Sequence, residues 1–452
     1  MFSKTLDLLK EELLKNTPYL MLFWEFVKVW WWVVLPFILW RPFTTLWRWW
    51  RIEIFLKQKK RVIFEIKIPK DTVKPIRAME TVIDGLWQIL YDPPGIWWEK
   101  WIEGKVLLSY SFDLVSIEGN LHFFLRAPED IRHSIESSIY SQYPEAEISI
   151  VDDYTKKVPQ DIPNKKWDIW GADFRLLKED PYPIRTYRDF ETENERVEEK
   201  RIDPLSILLE ASTKIGKGEQ LWIQILACPV TDGDFPWITE GERIRDEIVG
   251  RKKSEPPYKS FLKEAIDILF FGNPPSSSGE ESEEKVFPSE MTLTPGEKEV
   301  ISAIERKISK KGFKCSARFI YLGKRDVFFK PKIRLPLAFF SAFNAENLNM
   351  LLPYGQPLIT KIPQSWFLPL NLLRERRLYL RQRRMFRHYI NRVNPFYPKE
   401  KAGGSGKRDV FVLNTEELAT IYHFPSKLTA SAPFIERIEH KKGGAPPSLP
   451  IE

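Results

Sequence analysis

The groups in this chain that could do chemistry are scattered. Its five histidines, His122, His133, His388, His423 and His440, fall at no spacing that would bring two ring nitrogens to one metal, and no HExxH is present. The acid pairs Asp152-Asp153 and Glu416-Glu417 sit at an expected strand end and helix start, where carboxylates are more often solvated or capping than paired for acid–base work. Gly403-Gly-Ser-Gly-Lys-Arg408 resembles a phosphate loop only in part. Lys401 stands where the first glycine is required and Arg408 where a hydroxyl should hold magnesium, so a flexible surface loop is the better reading. Cys228 and Cys315 lie in apolar, strand-like runs, as buried thiols of a reducing compartment do, and not as a disulfide or metal pair. No catalytic, cofactor-binding or metal site is expected, and the chain does not read as an enzyme.

Binding chemistry is better represented. Between Arg374 and Arg408 twelve basic residues face two acids, Glu375 and Glu400, so this stretch alone exceeds the whole chain's net charge of +7. Wound as a helix, Leu370 to Asn394 sets Leu378, Met385, Phe386, Tyr389 and Val393 on an apolar stripe. Arg377, Arg381, Arg384, Arg387, His388 and Arg392 lie on a basic face beside it. Such a face could rest on anionic lipid, grip nucleic-acid phosphates, dock an acidic partner, or simply be solvated. No RNP-like aromatic strand accompanies it to read sequence.

The second binding signal is aromatic. Leu20 to Trp50 holds Trp24, Trp30, Trp31, Trp32, Trp40, Trp47, Trp49 and Trp50, with no charge from Val29 to Trp40. As a helix, Tyr19 to Trp40 would cross a hydrocarbon core of ~30 Å, and tryptophans favour the headgroup boundary. Glu25, Lys28 and Pro36 weaken a clean span, so an anchor lying in the interface is the alternative and a buried core helix the plainest one. Arg41, Arg48, Arg51, Lys57, Lys59, Lys60 and Arg61 follow, against Glu53 alone. By the positive-inside rule that side is cytoplasmic. The expectation is therefore an inner (cytoplasmic) membrane anchor over 19–52, preceded by an amphipathic helix over 1–18, with the bulk of the chain in the cytoplasm and no cleaved signal peptide.

The elements between these signals suggest an α+β protein. Arg61 to Ile68 is strand-like, and Pro75 to Tyr91 places Ile76, Met79, Val82, Ile83, Leu86 and Leu90 at helical spacing. Asp92 to Trp101 is a proline-broken loop with three tryptophans, a second membrane or partner contact or packing over a sheet edge. Val106 to Leu125 is a hairpin turning at Glu118-Gly119-Asn120. A helix to Tyr143 and a strand at Ala146–Val151 complete β-α-β-β-α-β, the ferredoxin-like split βαβ arrangement, over 61–155. A degenerate second copy is expected over 165–335, interrupted by charged helices at Glu240–Ile248 and Lys259–Phe270 and by a polar, acidic linker at 272–290 that should be disordered. A basic helical region, 336–408, and a C-terminal strand–helix with a proline-rich tail, 409–452, follow. In that tail Asn414 and Glu417 have capping-box spacing and Pro425 closes the helix after Phe424.

The tail LNTEELATIYHFPS…APFIERIEHKKGGAPPSLP resembles the segment upstream of the ATPase core in TraG-like and HerA-like DNA-translocating ATPases of bacterial type IV secretion and conjugation. The runs IPKDTVKPIRAMETVIDGLW, FFLRAPEDIRHSIESSIYSQYPEAEI, GEQLWIQILACPV and TPGEKEVISAIERKIS resemble that group's membrane-proximal domain of unknown function. The resemblance covers most of 60–452. In fused members a Walker A motif follows such a tail; here none does, and no ATP-binding residue carries over. The resemblance implies a non-enzymatic, membrane-anchored accessory subunit that docks a separate ATPase of this type through Asn414, Glu417, Phe424 and Pro425, with oligomerisation open. The rival reading is a membrane-tethered nucleic-acid-binding protein acting through the arginine helix.

Overall fold

A computed structural model of the chain describes residues 35–36, 39–69, 72, 74–190, 203–249, 293–353, 373–392 and 410–425. The expected amphipathic helix 1–18, most of the apolar stretch with Trp24, Trp30, Trp31 and Trp32, the Lys259–Phe270 helix, the 272–290 linker and the glycine-rich 403–408 loop lie outside these residues. The chain divides into two compact units, residues 1–59 with 93–106, and residues 60–92 with 107–452.

The first unit contains one long helix, α1, over residues 39–58. Among the described residues no helix is long and apolar enough to cross a membrane. The reason is visible in α1: within its twenty residues Arg41, Arg48, Arg51, Glu53 and Lys57 recur too often for a hydrocarbon span.

The second unit is α+β and built on one antiparallel sheet. Its strands are β1 Arg61–Lys67, β2 Tyr110–Ile117, β3 Asn120–Pro128, β4 Glu147–Val151, β5 Trp167–Leu176, β6 Glu219–Val230, β7 Gly312–Lys324, β8 Leu351–Pro353 and β9 Phe411–Asn414. They lie in the order β4-β1-β3-β2-β6-β7-β5-β8, with β9 paired to β7. The helices are α2 Ile76–Leu90, α3 Arg132–Gln142, α4 Tyr187–Phe190, α5 Leu205–Thr213, α6 Trp237–Val249, α7 Pro295–Ile308, α8 Arg334–Ser341, α9 Arg374–Ile390 and α10 Thr415–Ile421.

This order contains a repeat. β1-α2-β2-β3-α3-β4 and β5-α5-β6-β7-α8-β8 have the same sequence of elements, with α6 and α7 inserted before β7. Their strands also lie in the same relative order, β4-β1-β3-β2 against β8-β5-β7-β6. The two halves are not separate domains. Their second strands pair from Tyr110–Ala227 to Ile117–Gln220 and fuse the halves into one sheet. β8 falls in the stretch expected to be a basic helical region, yet it pairs with β5.

Local chemistry explains the pieces. The β2–β3 loop is two residues, Glu118 at φ 52° and Gly119 at φ 100°, the pair of positive φ values that a tight hairpin turn needs. Alternation then sorts the faces. Phe112, Leu114, Leu121, Phe123, Leu125, Ile223, Ile225, Phe313 and Phe319 meet the buried residues of α2, α3, α5, α8 and α10 in the main core. The opposite face carries Ile63, Val115, Phe124, Trp222 and Ile320, and Met385, Phe386 and Tyr389 of α9 pack on it.

Candidate functional site

In the first unit several aromatic side chains of α1 are held outward. Trp40, Phe43, Leu46, Trp49 and Trp50 are exposed, as are Ile96, Trp97 and Trp98 of the 93–103 segment, Trp49 at 53% and Trp97 at 65%. That segment winds into a short π-helical turn, Glu99–Glu103, which is tied back to α1. Trp47 Nε1 donates to the carbonyl of Trp101 at 3.0 Å, and Arg51 Nε donates to the carbonyl of Ile102. The Arg48 guanidinium lies over the Trp101 ring at 5.9 Å. Gly104, at φ 73°, lets the chain pass the α1 backbone where a Cβ would sit 2.4 Å from the Arg51 carbonyl. Exposed aromatic and aliphatic side chains thus lie both on α1 and on the segment tied to it, with Arg41, Arg48 and Arg51 on the same helix. The sequence suggested either a second membrane or partner contact or sheet-edge packing for the Asp92–Trp101 loop. Its interactions with α1 tie it to that helix.

The arginine helix divides its basic residues. Arg376, Arg384 and Arg387 are exposed, and Arg377, Arg381 and Arg383 are half-exposed. Arg392 corrects the expected stripe. It follows α9 at φ 46°, is buried, and pairs with Asp153 at 2.6 Å and Asp113 at 3.4 Å. Burial opposes its charge, but Asp113 and Asp153 more than compensate and hold the guanidinium protonated. It therefore anchors the end of α9 to β2 and is not available to a ligand. The pattern of α9 gives no sign of this, because both acids are supplied from more than two hundred residues away.

The residues expected to form a partner tail are likewise internal. β9 pairs with β7 from Gly312–Asn414 to Cys315–Phe411, and α10 packs on α2. Asn414 and Glu417 form the expected capping box. Glu417 is fully buried and is met by Lys307 Nζ at 3.0 Å and by the Ile184 amide at 2.8 Å. Burial pushes its carboxyl up, against the pull of Lys307 and the Asn414 and Ile184 amides. Phe424 packs against Phe123 and Tyr143, ring centroids 5.4 and 5.1 Å away, and Pro425 is buried beside it. None of the four offers a surface to another protein.

The polar groups that might suggest catalysis are paired off in the same way. Glu416 is held low by Lys310, 2.7 Å away, against the opposing effect of its own burial. His122 meets Glu65 at 2.8 Å and His423 meets Asp203 at 2.8 Å. Cys228 and Cys315 are buried thiols outside any disulfide. Among the described residues no group of histidines, cysteines and acids could hold a metal.

Residues 55–330 match the model of a domain of unknown function, DUF8128. The chain belongs to the DUF8128 family. The matched span runs from just before β1 to just after β7, whereas α8 and β8, which complete the repeat, and α9, β9 and α10 lie beyond it. No curated protein matches the chain.

Proposed function

We propose that this DUF8128 protein is a non-enzymatic scaffold attached to a membrane through its first unit. The observation that carries this reading is the set of exposed aromatic side chains on α1 and the 93–103 segment. Water-facing apolar surface of this kind is costly unless something covers it. Tryptophan rings prefer the headgroup boundary, and each arginine near an anionic surface adds about 1 kcal/mol of attraction. Side chains pinned by Trp47, Arg51 and Gly104 also lose little further freedom on insertion. The geometry favours a helix lying in the interface, with the apolar residues before it free to add a span. The cytoplasmic side is assigned from the positive charge that follows the apolar stretch.

On this reading the two sheet halves are ferredoxin-like units fused through their second strands, a rigid platform with no reaction of its own. The sequence resemblance to the membrane-proximal region of TraG-like and HerA-like ATPases is what supports reading the platform as part of a type IV secretion or DNA-transfer system, with a separate ATPase as its partner. Docking would use exposed surface or the 426–452 segment, since 410–425 is committed to the core.

Flotation with vesicles containing anionic phospholipid tests the attachment. The full chain should float, and a variant with Trp40, Trp49, Trp50, Trp97 and Trp98 changed to alanine should float less. Equal flotation of both would refute the role of this surface. A pull-down from native membranes tests the partner: a secretion-type ATPase should be recovered with the full chain and lost on deleting 426–452. Its absence from the full-chain sample would remove the secretion reading and leave the membrane reading standing.

A further inference from the structure

On the second unit, an open groove of about 580 Å³ runs between α9 and the loop that precedes β5. Asp161, Asn164, Lys165, Arg325, Tyr379 and Arg383 line it. Three cations and one acid line it; Asp161 accepts from the Asn164 side-chain amide at 2.9 Å, and Asp168, outside the lining, lies 3.8 Å from Arg325 and offsets part of its charge. Both walls are fixed before any ligand arrives. The Asn164 side-chain oxygen accepts from the Lys166 and Trp167 amides, each at 2.8 Å, which shapes the loop. Arg325 Nε donates to the Asn164 carbonyl at 2.9 Å, and its backbone amide to Lys166 at 2.9 Å. On the other wall Gln382 donates to the Ile169 carbonyl at 2.7 Å and holds α9 against β5.

The floor chemistry is specific in kind. Tyr379 is exposed, and Arg383 donates to its hydroxyl at 2.7 Å while the guanidinium lies 6.0 Å from the ring centroid. Planar rings and guanidinium groups are the side chains on which unstacked bases settle, and cations along a groove follow a phosphate backbone. Arg376, Arg384 and Arg387 continue the positive charge along the exposed face of α9. A bilayer is flat and would meet Arg383 but not reach into a groove walled by Arg325 and Lys165. A chain of phosphates can.

We propose that this groove binds single-stranded nucleic acid, with Lys165, Arg325 and Arg383 on phosphates and Tyr379 under a base. The proposal is independent of membrane attachment, which involves the other unit. It also narrows the basic face read from the sequence: Arg392 drops out, and Lys165 and Arg325, outside the helix, come in.

Fluorescence anisotropy of the full chain with a labelled oligothymidylate tests it. Three phosphate contacts on a single strand predict a log–log salt slope near −2, a roughly 20-fold loss of affinity between about 50 and 200 mM salt. K165E/R383E should weaken binding at least tenfold. Y379A should weaken it about fivefold or more while leaving the salt slope unchanged, because stacking carries no counterions. K298E, the same kind of charge change on exposed Lys298 of α7, should bind as wild type. Thermal melts of each variant separate lost binding from lost fold, and Y379A, which changes no charge, keeps the test decisive if K165E/R383E unfolds. The proposal is overturned by no binding at the lower salt, by K298E weakening binding as much as K165E/R383E, by tighter binding of a duplex of the same length, or by equal competition from polyglutamate at equal charge.

Discussion

Two aromatic stretches of this chain, 39–58 and 410–425, have opposite fates. In α1, Trp40, Trp49 and Trp50 face water; in the C-terminal stretch, Phe411, Tyr422 and Phe424 are buried. Apolar content does not separate them. What does is the polar pattern beside the rings. In 410–425 the strand pairs with β7 and is buried along its whole length, the cap is made by the chain's own Asn414 and Glu417, and the acids of α10 find Lys307 and Lys310 near the end of α7. In α1 Arg48 and Arg51 meet backbone and rings of the 93–103 segment and the Trp50 ring, and Trp40, Trp49 and Trp50 stay exposed. Buried rings with matched charges mark a core; outward rings beside cations are what the proposed membrane attachment would use.

That contrast can be broken most severely at Lys307. Lys307→Met leaves Glu417 as an uncompensated buried charge and should cost about 3–5 kcal/mol in urea unfolding. A loss under ~1 kcal/mol would mean that the pair is far more solvated than its burial implies. Phe424→Ala should lose ~3 kcal/mol, the lower end for a buried aromatic, whereas Trp97→Ala should stay within about 0.5 kcal/mol because its ring touches mostly water. Comparable losses at both sites would erase the distinction between the two stretches.

A smaller effect is expected with pH. Burial disfavours a charged His423, but Asp203 and the neighbouring carbonyl outweigh it and raise its pKa above 6.5. A raised folded-state pKa means that stabilisation is complete below about pH 6.5 and fades as pH rises through the folded value. The stability difference between wild type and His423→Asn should therefore shrink from pH 6 to pH 8. A difference that grows over that range would reverse the assignment.

The sequence made local features legible and long-range ones invisible. The periodicity of Ile76 to Leu90, the Glu118-Gly119 turn and the Asn414–Glu417 cap each lie within a few residues, and each is present. The repeat could be seen only in part: α8 and β8, which complete its second half, run through and past the expected end at 335, β8 lying in the stretch expected to be a basic helical region. The fusion of its halves could not be seen, because nothing in Tyr110–Ile117 or Glu219–Val230 states that these strands will be neighbours. Arg392 looked like its exposed helical companions for the same reason: Asp113 and Asp153 arrive through the fold. The docking reading of the tail comes from its resemblance to the segment upstream of an ATPase core, and nothing local contradicts it, because the tail's partners on β7 and α2 are far away along the chain.

Cysteine labelling offers the most direct test of the outward aromatic surface, because Cys228 and Cys315 are buried and a new exposed thiol can be modified selectively. An environment-sensitive fluorophore would be placed at Leu46→Cys, at Ile96→Cys and, as a control, at Lys298→Cys. On adding vesicles with anionic lipid, emission at positions 46 and 96 should brighten and shift to the blue, and emission at position 298 should not change. No shift at 46 and 96, or the same shift at all three positions, would contradict attachment through this surface.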